Sequence, residues 1–186
     1  FMAGACFETF ERDSDNRGKI APLGPDPVTG FTNHWDGRST VDSDTYSVFG
    51  QVTWDITENL ELAGGSRWTK DDRKAVQRNS FVQPGFSGTV LRPVEAGPLF
   101  SDFDDTNVSS EVTFTWRPQS NLTLFAAYRE GYKSGGFSTN TVLTPISTED
   151  SVVFEAEEAD GFEVGFKSML FDGRLRINGA VYAYDF

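Results

Sequence analysis

Residues 46–68 read YSVFGQVTWDITENLELAGGSRW, and their alternation decides the fold. Tyr46, Val48, Gly50, Val52, Trp54 and Ile56 are apolar or small, while Ser47, Gln51, Thr53 and Asp55 stand between them and only Phe49 breaks the pattern. A period of two sends successive side chains to opposite faces of a sheet. After a short turn at Thr57-Glu58-Asn59 the even positions continue as Leu60, Leu62, Gly64 and Trp68, against Glu61, Ala63, Gly65 and Arg67. The stretch reads as a β-hairpin with one apolar face.

The arrangement recurs twice. Val108, Val112, Phe114 and Trp116 alternate with Ser109, Glu111, Thr113 and Thr115; Arg117 to Asn121 turns; Leu122, Leu124, Ala126 and Tyr128 then alternate with Thr123, Phe125 and Arg129. In the third copy Phe162, Val164, Phe166 and Leu170 oppose Glu163, Gly165 and Lys167. Phe171 to Arg174 turns into Leu175, Ile177, Gly179, Val181 and Ala183, opposed by Arg176, Asn178 and Tyr182. VTWDITENLEL and FTWRPQSNLTL match at Thr-Trp, Asn-Leu and Leu. A further strand, Phe1 to about Phe10, carries Phe1, Ala3, Ala5 and Phe7 on one face.

Seven antiparallel strands in one meander are therefore expected. Long polar connections, about Glu11 to Asp42, Ala75 to Asp104 and Ser138 to Glu155, join the hairpins at the end opposite the short turns. Compact soluble domains rarely carry three such connections. Tight turns at one end and large loops at the other are the asymmetry of an up-and-down transmembrane β-barrel. Trp54 and Trp116 precede short turns, and Trp68, Tyr128 and Tyr132 lie toward the other end, as two interfacial aromatic belts would.

Composition removes other classes. Of 186 residues, 16 are Lys or Arg and 28 Asp or Glu, a net charge of −12, and binding a polyanion such as nucleic acid needs clustered cations that the sequence lacks. Apolar runs are far too short for a helical membrane span, whereas strands expose an apolar residue to lipid only at alternate positions. Cys6 is the one cysteine and His34 the one histidine, which leaves no internal disulfide, no Cys/His metal cluster and no catalytic triad with a nucleophile elbow. Asp102, Asp104 and Asp105 lack the glycine and spacing of a calcium loop. The glycines between Gly131 and Gly136 do not open a helix, so they fit a bend at a strand end better than a phosphate cradle. Neither an enzyme nor a bound cofactor or metal is expected. Glu111, Arg129, Glu163, Lys167 and Arg176 fall on the polar faces, where a barrel would let opposite charges pair.

Two segments carry a family resemblance. YREGYKSGGF (Tyr128 to Phe137) and EADGFEVGFKSMLFDGRLRINGAVYAYDF (Glu158 to Phe186) resemble the barrel of TonB-dependent outer-membrane receptors. Their order is a Tyr-rich strand ending in G-Y-K-S-G-G-F, a loop, a P-E-x-x-x-x-Y-E-x-G-x-K strand, an F-x-G-R-L turn and an L-x-x-N-x-A-x-Y-Y-x-D strand. Glu157, Phe162, Glu163, Gly165 and Lys167 match the second motif, with Ala156 at the usual proline and Phe162 where tyrosine is common.

The resemblance implies a partial barrel: about seven of 22 strands, residues 1–186 forming part of the barrel domain, with the N-terminal plug and its energy-coupling box outside this sequence. It implies a place in the outer membrane of a Gram-negative bacterium, contact with its lipid, and uptake of a scarce nutrient such as an iron-siderophore complex. Energy would come from the TonB complex through the plug region. An opening without a signal peptide, together with the outward parity that Tyr182, Tyr184 and Phe186 lack, suggests that Phe1 and Phe186 are not natural ends. Candidate ligand contacts are Phe31, His34 and Trp35 in the first loop and Phe81 and Phe86 in the second, since aromatics on polar loops suit a planar or apolar ligand. Two other readings fit the residues: a small complete barrel acting as adhesin or pore, and a soluble carbohydrate-binding β-sandwich.

Overall fold

The computed structural model describes residues 1–19 and 24–186. In chain order the elements are β1 (Met2–Gly18), β2 (Trp35–Thr57), β3 (Leu60–Val82), a 3-10 turn at Val94–Ala96, β4 (Leu99–Gln119), β5 (Leu122–Lys133), β6 (Gly136–Phe137), β7 (Val153–Phe154), β8 (Glu157–Leu170) and β9 (Leu175–Asp185). Seven strands form one antiparallel sheet in the order β1-β2-β3-β4-β5-β8-β9, and β6 pairs only with β7. The meander and its three short turns stand where the alternation places them.

Which face is apolar decides what surrounds the sheet. The strongest alternation lies on residues that are exposed: Val52 at 60%, Trp54 at 61%, Phe162 at 64% and Val181 at 74%. Cross-strand rows such as Val52-Gly64-Val112-Tyr128-Phe162-Ala183 and Trp54-Leu62-Phe114-Ala126-Val164-Val181 run along this face. A continuous exposed apolar face of this size suits lipid, not water. Its loop-side boundary slides along the ladder, from the Phe7-Tyr46 row at β1 and β2, through Val108 on β4, to the Tyr128-Phe162 row at β5 and β8, as strands tilted across a bilayer require. The sandwich reading needs two sheets sharing an apolar core, and that is overturned. β1 and β9 are the two edges of the sheet, so the seven strands do not close into a small barrel by themselves.

Phe49, the exception to the alternation, has a physical reason. It sits directly opposite Gly4, and a Cβ at Gly4 would lie 2.6 Å from the Phe49 ring. The same cover recurs where Trp35 opposes Gly18, Phe125 opposes Gly165 and Tyr184 opposes Gly161. An aromatic ring laid across a facing glycine restores the contacts that the missing side chain forfeits.

The first two long connections are shorter than the sequence suggests, whereas the third runs through 134–156, beyond both ends of the expected Ser138 to Glu155. β1 continues to Gly18 and β2 begins at Trp35; β3 continues to Val82 and β4 begins at Leu99. The 23 residues of β2 span roughly 75 Å at about 3.3 Å per residue, more than twice the hydrocarbon thickness. Beyond the apolar band the outward face meets water and carries polar pairs, such as Thr40 with Asp13 at 2.7 Å and Arg38 with Asp15 at 3.0 Å. With neither face lipid-facing, the period-two apolar signal disappears although the pairing goes on.

Candidate functional site

The opposite face, the lumen face of a barrel, holds the buried residues. Val41, Ala75 and Phe137 form one cluster with Phe103 and Val153 packed against it; Leu99, Leu143 and Val152 form a second. Both join the loop-end extension of β2, β3 and β4 to residues 134–156. That segment is therefore a strap folded inward across the lumen wall. Side chains from the sheet hold its backbone: Asn16 donates to Thr139 O at 2.7 Å, Gln77 to Ser138 O at 3.4 Å, Asn79 to Leu143 O at 3.4 Å and Ser101 to Glu149 O at 3.5 Å. Arg92, from the second connection, receives Asn79 at its carbonyl, donates its own N–H to Leu143 O and places its guanidinium beside the Ala96, Gly97 and Ser147 carbonyls.

At the root of the strap the sheet divides. β4 and β5 pair only up to Glu111 and Arg129, whereas β5 and β8 stay paired to Lys133 and Glu157. Above that point the β5–β8 ladder leans inward, so its outward parity meets the lumen parity of β4. Asn107 donates to Glu158 at 2.6 Å, and the Tyr132 hydroxyl donates to Asp105 at 2.9 Å with Asp71 3.4 Å away. Tyr132 is thus not part of the lipid-facing belt that its parity suggested. Burial, reinforced by the two carboxylates, pushes its phenol up to about 12. Asp71, buried, also accepts from Thr45 and lies 3.4 Å from the Arg73 guanidinium, which donates to Gly135 O at 2.9 Å.

The five candidate contacts gather at the loop ends of β2 and β3 and in the two connections beyond them. Phe31 is exposed and packs edge-on against Phe81, whose ring centre lies 5.1 Å away; His34 is buried and meets Phe86 edge-on at 5.6 Å. Trp35 opens β2, its ring over Gly18. Phe81 belongs to β3 and not to a loop. A backbone bond from His34 N–H to Gly18 O and another from Gln83 N–H to His34 O tie the two tips together. Sequence reasoning missed Asn16, Arg73, Gln77, Asn79, Arg92 and Ser101. The available signal was Val41, Ala75, Leu99 and Phe103, apolar residues spaced at lumen parity within supposedly polar connections.

Lower on the lumen face, Arg129 pairs with Glu163 at 2.9 Å and approaches Glu111 at 3.8 Å, and Arg117 pairs with Glu61 at 3.1 Å. Lys167 lies 5.7 Å from the centre of the Phe125 ring. The wall is charged and polar where the outer face is apolar. Among the described residues no group of three or more His, Cys, Asp or Glu side chains could hold a metal ion.

Comparisons with known proteins agree with this geometry. A family model described as TonB dependent receptor-like, beta-barrel, matches residues 2–186. The ferric yersiniabactin uptake receptor FyuA from Yersinia pestis superposes with a TM-score of 0.67 at 13% identity, over 98% of this chain and 25% of that one. The siderophore receptor PiuA from Acinetobacter baumannii superposes with a TM-score of 0.51 at 20% identity, over 81% of this chain and 19% of that one. At such identities the likeness is one of fold, and the chain spans a quarter or less of either receptor's length. The family model, by contrast, runs through all seven strands, and by that match the chain belongs to the TonB-dependent receptor-like β-barrel family.

Proposed function

We propose that the chain is part of the wall of a bacterial outer-membrane receptor that takes up a scarce nutrient, an iron-siderophore complex being the best candidate, with energy delivered by TonB through a plug outside residues 1–186. It acts as a receptor and transporter, not as an enzyme. One observation carries this reading: the sheet is inside-out, with its apolar face exposed and its buried contacts on the lumen side. In this reading the strap and the two aromatic tips would line the ligand's route, with Phe31, Trp35, Phe81 and Phe86 the proposed contacts at its mouth and buried His34 backing Phe86 from beneath. The likeness to two siderophore receptors supports the choice of ligand class.

The test uses the full-length gene in iron-limited cells. Uptake of radioactive iron is measured from a panel of ferric siderophores that includes ferric yersiniabactin. Deleting the gene should abolish uptake of one complex, a plasmid copy should restore it, and a protonophore should block it. Uptake of every complex unchanged by the deletion would remove the siderophore reading, and uptake that survives the protonophore would favour a passive pore.

A further inference from the structure

We propose that Arg73 and Tyr132 are positioning residues that latch the strap, residues 134–156, against the lumen wall, so that it forms a fixed side of the ligand passage and not a gate. The latch follows from an electrostatic conflict in the sheet. Asp71 and Asp105 are direct cross-strand partners on β3 and β4, and like charges placed opposite one another destabilise a ladder. Asp71 is buried as well, which raises the cost of leaving its charge without donors. Arg73 and Tyr132 resolve the conflict, the guanidinium lying 3.4 Å from Asp71 and the phenol donating to Asp105.

The same two residues hold the root of the strap. Arg73 donates to Gly135 O at 2.9 Å, and Tyr132 stands three residues before that glycine. Lifting the strap would take Gly135 O from Arg73, which stays beside Asp71 on β3, and would draw Tyr132, three residues before Gly135, away from Asp105, so charge compensation at Asp105 and strap position are coupled. The bend is also filled: a Cβ at Gly135 would come 2.4 Å from Phe154 O and 2.6 Å from the Phe103 ring. Beyond it, Asn16, Gln77, Asn79 and Ser101 all donate to strap carbonyls, so the hold depends on side chains of the sheet more than on those of the strap.

The latch is tested in the full-length receptor on intact cells, without ligand, so its failure is separate from failure of the uptake reading. A glutamate-specific protease is applied, and mass spectrometry follows cleavage after Glu149, an exposed residue inside the strap. The wild type should resist. Arg73→Gln and Tyr132→Phe should each be cut at least tenfold faster while the barrel keeps its heat-resistant mobility on a gel. Adding Asp105→Asn to Tyr132→Phe should recover much of the protection, because it removes the charge that the phenol compensates; a merely structural role for the ring would show no such recovery. Equal cleavage of wild type and both variants with intact barrels would overturn the latch, as would a double variant cut as fast as the single one. If the variants fail to assemble, hydrogen exchange in the wild type decides. Amides at 137–152 exchanging at least tenfold more slowly than those at 28–33 would support a fixed strap, and equal rates would refute it.

Discussion

Val112→Arg in the complete receptor should cost about 2 to 4 kcal/mol of folding stability in a bilayer, whereas Thr113→Arg, one residue along, should cost about 1 kcal/mol or less. Val112 lies midway along the apolar run from Val108 to Trp116 on β4, between Gly64 and Tyr128 in its row. An arginine there would carry its charge into hydrocarbon at the depth where the penalty peaks. Thr113 lies between Ala63 and Ala127 on the other face, the face that carries Glu111, Arg129 and Glu163. A new guanidinium there meets water and carboxylates. Denaturant titration of folding into lipid vesicles measures both costs, and equal values would mean that the faces are assigned wrongly.

The second large effect concerns recognition. Removing residues 25–33 from the complete receptor should weaken ligand uptake at least tenfold, read as a rise in the half-saturating concentration, while leaving the barrel assembled. The deletion is bounded by the pairing: residues up to Gly18 and from Trp35 onward belong to the β1–β2 ladder, so a cut from Arg12 to Ser39 would destroy paired strand and confuse assembly with binding. Residues 25–33 include exposed Phe31 and the turn in which Asp26 accepts from Val28 and Thr29 N–H, and their backbone supports no strand. Connections of this kind contribute recognition more than stability. Unchanged uptake would take the first connection out of the ligand path.

How far the sequence discloses this structure depends on what each face touches. Between Tyr46 and Trp68 one face meets lipid and the other a polar lumen, and every strand and turn there is legible from parity. Between Arg12 and Gly18, or Ala75 and Val82, water lies outside and the strap inside, held by side chain to carbonyl bonds and a few apolar contacts, so the strands carry on with too few apolar residues at alternate positions to reveal them. Phe49 looks like an error in the pattern until Gly4 is known to face it. Tyr132 obeys the parity of its strand and still ends on the lumen side, because the β5–β8 ladder leaves β4 beyond Glu111 and leans inward.

The site was less legible than the fold. Aromatic tips such as Phe31 and His34 stand out as residue types in polar connections. The strap donors do not, since Asn16 reaches a carbonyl 123 positions away and Arg73 one 62 positions away. Those separations are closed only by the meander, and no local motif marks them. The GYKSGGF segment reads as a bend at a strand end; the sheet adds that the bend is aimed by Arg73 and filled by Phe103.

The most direct test of the account is a nitroxide scan along β4 of the full-length receptor in lipid vesicles, with Cys6 replaced by serine and single labels placed from Val108 to Trp116. Accessibility to oxygen, which concentrates in hydrocarbon, is compared with accessibility to a water-soluble nickel chelate. The account requires a period of two: oxygen dominant at Val108, Val112, Phe114 and Trp116, and nickel or immobilised lumen contacts at Ser109, Glu111, Thr113 and Thr115. Uniform accessibility along the strand, or the opposite parity, would contradict it.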